Sequence, residues 1–371
     1  MGVSNWTKFL FAGAHGRLED RSNSFTAIRI GFAFLVLYGH AIMLPQGLPI
    51  SGEWAVFVDN SVQFALDGFF ILSGYMIAAS LIHRRDMLNF TASRVLRIFP
   101  GLIAAAVILW LVVGPLFTSL SWAEYFTHSA SLSFLAKLIF QINPQADLPG
   151  VFADHPMTDM NGPLWTIRYE LLAYLAAGLL AVMGIFRSRW GLLALFVAIA
   201  LISDLEMVWP YDGMGAGTAF AAARFGGAFL TGAVFYAWRD RIPLSAGWAV
   251  ILVVGAILLA DTPSSMIVGQ IAMAYVTLWL GFMAIPGNTG HAIRNVEDVS
   301  YGVYILHWPI GQMALALYPG ITPHALLLVM APSALLAGWL LRVLVEKPAL
   351  NAKADIVAAL RGRRDQAAKP A

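Results

Sequence analysis

The chain has 371 residues, of which 59% are apolar and 12% charged, against roughly 25% charged in an ordinary soluble domain. That balance excludes a soluble globular protein, and a formal net charge of +2 is too small to argue for a nucleic-acid partner. With no cysteine in the chain, disulfides, thiolate metal sites and acyl-cysteine intermediates are excluded, and no metal centre is expected.

Residues 1–24 are polar. They carry Lys8, Arg17 and Arg21 beside Glu19 and Asp20, with no small-residue cleavage pattern after the next apolar run. They therefore read as a cytoplasmic segment rather than a cleaved signal peptide. A window of about 20 residues per bilayer crossing then predicts helices near 26–44, 61–82, 98–117, 162–185 and 190–209. Five more follow near 216–237, 246–260, 266–285, 299–318 and 324–345. Between spans three and four lies the longest connection, Thr118 to Asn161. Its half-apolar part, Tyr125 to Ile142, reads as an interfacial or re-entrant helix, followed by a loop at Asn143-Pro-Gln-Ala-Asp-Leu-Pro149.

Lys and Arg between the spans alternate. From the N-terminus, every second connection holds three, four, two, two, one and, in the tail from Lys347, six of them. The opposite set holds Lys137 alone. Because cytoplasmic loops carry the excess, the expected fold is an all-α integral membrane protein of about ten transmembrane helices with both termini cytoplasmic. One membrane domain, 25–346, is expected between the N-terminal segment and a basic cytoplasmic tail at 347–371. Arg84 and Arg85 need no reading beyond positive-inside anchoring.

Ionisable residues at membrane depth are functional-site hypotheses by default. The first span, Ala27-Ile-Arg-Ile-Gly-Phe-Ala-Phe-Leu-Val-Leu-Tyr-Gly-His40, contains Arg29 and His40. Eleven helical steps of about 100° put both on one face, about 16 Å apart along the axis. Counting residues from the outer ends of the spans sets His40, Asp67 and Glu170 at similar depth. A carboxylate that holds an imidazole in one tautomer, leaving its other nitrogen to take a proton, is a general-base arrangement. The plainer alternative makes Asp67 or Glu170 half of an ion pair with Arg168. Near the cytoplasmic end, Arg94-Val-Leu-Arg97-Ile-Phe-Pro100 puts two guanidinium groups on one helical face. Guanidinium forks suit phosphate oxygens, so Arg94 and Arg97, with Arg29, are candidates for an anion site.

In Asp67-Gly-Phe-Phe-Ile-Leu-Ser-Gly74 the small residues suggest close helix packing. Ser300-Tyr-Gly-Val-Tyr-Ile-Leu-His307-Trp-Pro sets Tyr304 and His307 on one face near mid-membrane, ahead of a proline expected to kink the helix. His307 reads either as ligand-lining or as a satisfied core histidine. Two motifs are set aside. His155-Pro-Met-Thr-Asp159 imitates a His-x-x-x-Asp acyltransferase motif but sits in a proline-flanked loop. Gly213-Met-Gly-Ala-Gly217 follows no strand and is not a dinucleotide loop.

Taken in order, these motifs resemble the acyltransferase-3 family of bacterial inner-membrane O-acyltransferases, from about Asn23 to Leu350. Arg29 with ten residues before His40 resembles its first motif, and Asp67 to Gly74 its second. Arg94 to Pro100 resembles the third, Leu164-Trp-Thr-Ile-Arg-Tyr-Glu170 the fourth, Ser300 to His307 the fifth, and Glu346-Lys-Pro348 the closing signature. Thr166 stands where serine is commoner, and Leu102 where an aromatic often follows the proline. The resemblance implies transfer of an acyl group, most often acetyl, from cytoplasmic acyl-CoA to a hydroxyl of an envelope glycan. Acyl-CoA is then a co-substrate, and no bound cofactor is expected. His40, Asp67 and Glu170 would be catalytic, and Arg29, Arg94 and Arg97 donor-binding. Ser73, Trp165, Arg168, Tyr301, Tyr304 and His307 would line the substrate path. The implied location is the bacterial inner membrane, and the chain would act alone or hand its acyl group to a separate periplasmic protein. A covalent acyl-enzyme on His40 or a serine is a second route within the enzyme class. Outside that class stand a transporter or flippase for a lipid-linked glycan and a small-ligand sensor.

Overall fold

The computed structural model describes residues 23–52, 55–83, 86–208, 216–283 and 287–367. Lys8, Arg17, Glu19, Asp20 and Arg21, the pair Arg84 and Arg85, and Gly213 to Gly215 lie outside them. All regular elements among the described residues are helices. Seven helical runs are long and apolar enough to cross a membrane: Phe25–Gln46, Ala55–His83, Met87–Phe117, Gly162–Val182, Gly217–Ala237, Ser265–Phe282 and Pro323–Gly362.

We label the helices α1 (Phe25–Gln46), α2 (Ala55–His83), α3 (Met87–Ile108, continued to Phe117), α4 (Trp122–Thr127) and α5 (Ser129–Ile139). Then come α6 (Trp165–Val182), α7 (Arg189–Val208), α8 (Ala216–Ala237), α9 (Ala246–Leu258) and α10 (Ser265–Phe282). The last are α11 (Gly287–Arg294), α12 (Ser300–Leu317), α13 (Pro323–Leu341) and α14 (Lys353–Ala367).

The three expected spans outside the seven are α7, α9 and α12. At 13 residues, α9 would rise only about 20 Å, short of a hydrocarbon core of about 30 Å. The composition of α12 is too polar for a lipid-facing helix, with Ser300, Tyr301, Tyr304, His307 and Gln312, yet all five are buried. A helix enclosed by protein needs no apolar outer face. It runs unbroken through Pro309.

The half-apolar stretch expected as one interfacial helix is two. Ser121 and Glu124 form a reciprocal capping box that starts α4. His128 then leaves helical geometry, and its ring accepts the Ala130 N–H to start α5. Both π-helical turns, Leu109–Val113 in α3 and Arg342–Glu346 after α13, are followed by a proline, Pro115 or Pro348. A proline lacks the N–H and crowds the carbonyl four residues back, and a widened turn relieves that. The carbonyl of Trp110 instead accepts the Tyr125 hydroxyl at 2.8 Å. Helix continues to Asn351, so no break falls at 346/347.

Two compact units share these helices. The described residues of Met1–Phe32, Gln63–Arg85 and Tyr169–Glu297 make the first; Ala33–Val62, Asp86–Arg168 and Asp298–Ala371 make the second. Inside the first, α2 and α8 touch backbone to backbone. A Cβ on Gly74 would collide with the Phe229 carbonyl, and one on Gly232 with that of Ile71. Phe25 packs edge-on against Tyr75 and Phe282, with ring centroids 5.7 and 5.0 Å away, and the Ser24 N–H donates to the Gly281 carbonyl at 2.8 Å. Phe196, Leu230 and Ile267 bury a second cluster between α7, α8 and α10. In the second unit Gly302 of α12 meets Gly338 of α13, where an added Cβ would lie 2.7 Å from the partner's Cα. Small residues permit this approach, and dispersion then holds helices that lipid tails would otherwise solvate equally well.

Candidate active site

The second unit contains a pair of imidazoles. His40 comes from the C-terminal third of α1 and His307 from the middle of α12, and His40 Nδ1 lies 2.7 Å from His307 Nε2. The rings are nearly parallel, 9° apart in plane with centroids 5.0 Å apart. His307 is fully buried, and its Nδ1 is 3.0 Å from the carbonyl of Val303, one turn earlier on the same helix. His40 is half-buried. Trp308, 2% exposed, meets the His40 ring edge to face at 4.9 Å.

A loop from the long connection closes over this end of α12. The Trp308 Nε1–H donates to the Asp159 carbonyl at 2.9 Å. Gln312 Nε2 donates to the carbonyls of Met157 and Asp159 at 2.6 and 3.0 Å, and its Oε1 meets the His155 ring at 2.7 Å. Asn161 donates to the Ile305 carbonyl at 2.8 Å. The motif His155 to Asp159 thus works as a clamp on α12. Burial first, and then the nearby Asp147 charge, raise the Asp159 carboxyl above its usual 3.8.

Of the residues expected to line the path, Tyr304 shares a 2.7 Å hydroxyl bond with Thr166, and its ring meets His307 edge-on at 6.1 Å. Tyr301 donates to the Ile98 carbonyl at 2.9 Å. Trp165 opens α6 directly after the tight turn Gly162–Leu164. Arg168 grips the loop: it donates to the carbonyl of Gln141 at 3.2 and 2.9 Å and to that of Ile142 at 3.1 Å. Gln141 takes a left-handed backbone, φ 55°, at this grip. Ser73, in the first unit, has a buried hydroxyl with no hydrogen-bond partner among the described residues.

The carboxylates are engaged otherwise than the sequence suggests. Arg224, not Arg168, is the ion-pair partner of Asp67, with Nε 2.9 Å from Oδ1. It also donates to the side chain and the carbonyl of Gln63. Glu170 accepts the Tyr174 hydroxyl, one turn on in α6. His40 Nδ1 meets an imidazole where a carboxylate was expected. Counting depth could have found Arg224, because it lies about as far from the outer end of its span as Asp67 does from the end of its own. The same count fits Arg168 equally well, so depth alone could not choose.

Arg97 lies 2.9 Å from Asp298 and 3.4 Å from Glu346, and Glu346, fully buried, is 3.5 Å from Arg342. Two carboxylates thus already face its guanidinium. Arg94 in α3 and Arg29 in α1 are half-buried. Asp86 caps α3 by accepting the Asn89 N–H at 3.1 Å. The Asn89 side chain, then its backbone N–H, then Arg361 lower the Asp86 carboxyl to about 2.

The sequence profile of the acyltransferase-3 family, described as an acyltransferase domain, matches residues 22–343. The chain belongs to that family. It is 27% identical over 324 residues to an "O-acetyl transferase" of Shigella phage Sf6, covering 83% of this chain and 90% of the relative. It is 26% identical over 370 residues to "Nodulation protein 10" of Rhizobium leguminosarum bv. viciae, covering 91% and 95%. No solved structure matches significantly. This acyltransferase-3 member is therefore a multi-pass membrane O-acyltransferase, transferring groups other than amino-acyl groups.

Proposed function

We propose that the protein moves an acetyl group from cytoplasmic acyl-CoA to a hydroxyl of an envelope glycan, in the bacterial inner membrane, with about ten membrane helices, of which α9 is short, and both termini cytoplasmic. The observation that carries this reading is the His40–His307 pair. It is an imidazole capable of taking a proton, held 2.7 Å from a fixed neighbour between α1 and the enclosed helix α12. The relative named an O-acetyl transferase favours acetyl among acyl groups, and the alternation of Lys and Arg between spans favours the orientation.

In this reaction His40 takes the proton of the acceptor hydroxyl as its oxygen attacks the thioester carbonyl carbon. The C–S bond breaks, and the departing CoA thiolate recovers a proton from the imidazolium. General-base catalysis of this kind is worth about 10²–10⁴-fold. Arg29, Arg94 and Arg97 are assigned to the donor because guanidinium forks match phosphate oxygens. Asp298 and Glu346 fix the position of Arg97. Asp67 and Glu170, bonded to Arg224 and Tyr174 within the first unit, are assigned a structural part in that unit. Tyr304 and Trp165 line the acceptor path, and Ser73 offers it a hydroxyl. The acceptor is a membrane-associated glycan or a separate periplasmic carrier of the acyl group.

The test is release of free CoA from acetyl-CoA by the purified protein in proteoliposomes given a glycan extract. His40→Ala should abolish release while the protein stays folded in the membrane. Undiminished turnover in that variant would remove His40 from the mechanism. Glycans identical with and without the gene, with no base-labile ester, would favour a carrier instead.

A further inference from the structure

We propose that His307 is the positioning residue of the reaction, holding His40 in the tautomer whose Nε2 is bare. The inference rests on the general-base reading above and deepens it. Its starting point is the far side of His307. The Val303 carbonyl can only accept, so His307 Nδ1, 3.0 Å away, carries a hydrogen. In a neutral imidazole the other nitrogen is then an acceptor. His307 Nε2 is that acceptor, and the nitrogen 2.7 Å from it, His40 Nδ1, must donate. His40 therefore has its hydrogen on Nδ1 and its lone pair on Nε2.

The chain of bonds runs one way, from His40 through His307 to a helix carbonyl. Its fixed end is a backbone group of α12, buried and unable to reverse its role. Trp308 supplies the second constraint, since its edge-on contact with His40 at 4.9 Å restricts the ring's rotation. Trp308 is itself tied to the Asp159 carbonyl. An imidazole does here what a carboxylate does in a Ser-His-Asp triad: it orients the base and accepts the Nδ1–H hydrogen bond, which strengthens when His40 becomes an imidazolium. Because His307 is neutral, the base is held without placing a second charge at this depth.

Two conservative variants separate the two bonds of His307. The amide of His307→Gln reaches the position of Nε2 and can accept from His40, at the cost of the Val303 bond. That of His307→Asn reaches only the position of Nδ1, keeping the Val303 bond and leaving His40 without an acceptor. The measurement is ¹⁵N NMR of histidine-labelled full-length protein in lipid nanodiscs, with the His40 signals identified by their loss in His40→Asn. Wild type and the Gln variant should show His40 protonated at Nδ1 and bare at Nε2. The Asn variant should show a mixture or the opposite tautomer.

Turnover should follow the tautomer. The Gln variant should keep kcat within about tenfold of wild type, whereas the Asn variant should lose about 10²-fold or more, with KM for acetyl-CoA little changed. His40 found with its hydrogen on Nε2 in the wild type overturns the proposal, as does a folded Asn variant with wild-type kcat. An Nδ1–H signal in a protein that transfers no acyl group from acetyl-CoA would keep the positioning and overturn the proposed reaction.

Discussion

Both units bury polar side chains among apolar helices, and two of these clusters, one from each unit, resolve the problem in opposite ways. In the first, Asp67 and Arg224, only 15% and 14% exposed, neutralise each other. Gln63 takes up further guanidinium hydrogens. In the second, His40 and His307 share one hydrogen bond, and the chain ends on a backbone carbonyl. A charged pair at this depth must be closed, because either member left alone carries the full desolvation penalty. Neutral imidazoles carry a far smaller penalty and can leave one nitrogen open. The difference separates a polar cluster built for cohesion from one able to exchange a proton.

Breaking the charged cluster should therefore cost the fold, and breaking the neutral one should cost the chemistry. The largest effect is expected for Arg224→Leu, which strands the Asp67 carboxylate and should destabilise the protein by about 3–5 kcal/mol. Thermal unfolding in detergent would read this, and adding Asp67→Leu should recover most of the loss. A single Arg224→Leu protein as stable as wild type would end the contrast. Next comes His40→Asn, which should remove acyl transfer yet leave unfolding within about 1 kcal/mol of wild type.

Smaller effects sharpen the picture. Gly302→Val forces a side chain into the contact with Gly338 and should cost about 1–3 kcal/mol by overpacking, again visible in thermal scans. The smallest concerns pH. Asp159, outside the spans, has a carboxyl raised above 3.8 by burial and by Asp147. A raised folded pKa contributes stability that is full below 3.8 and is lost as pH rises through the raised value. Unfolding temperatures should fall slightly as pH climbs past that point, and Asp159→Asn should flatten the dependence. An unchanged slope would dissociate Asp159 from it.

Several features were legible in the one-dimensional pattern. The seven apolar runs, the glycine contacts foreshadowed by Gly68 and Gly74, and the presence of Arg29 and His40 on one helix follow from hydropathy and from the 100° step of the helix. The π-helical turns were not read, although Pro115 and Pro348 mark them. Nor was the role of α12 as an enclosed helix. Its polar residues reduce its hydropathy, and only the surrounding protein explains why that is tolerated.

What the amino-acid order determined, then, is the class of molecule, the family, and which ionisable groups fall within the apolar runs, since hydropathy is read along one axis. What only the tertiary structure decided is the choice of partner at a given depth. The sequence named Arg168 for Asp67 where the structure has Arg224, and it offered His307 as a lining or core histidine and not as the neighbour of His40. Pairing depends on which helices are neighbours and how each is rotated about its axis. Those are set by contacts such as Gly74 with Phe229 and Gly302 with Gly338, where a single methyl group would turn the helices apart.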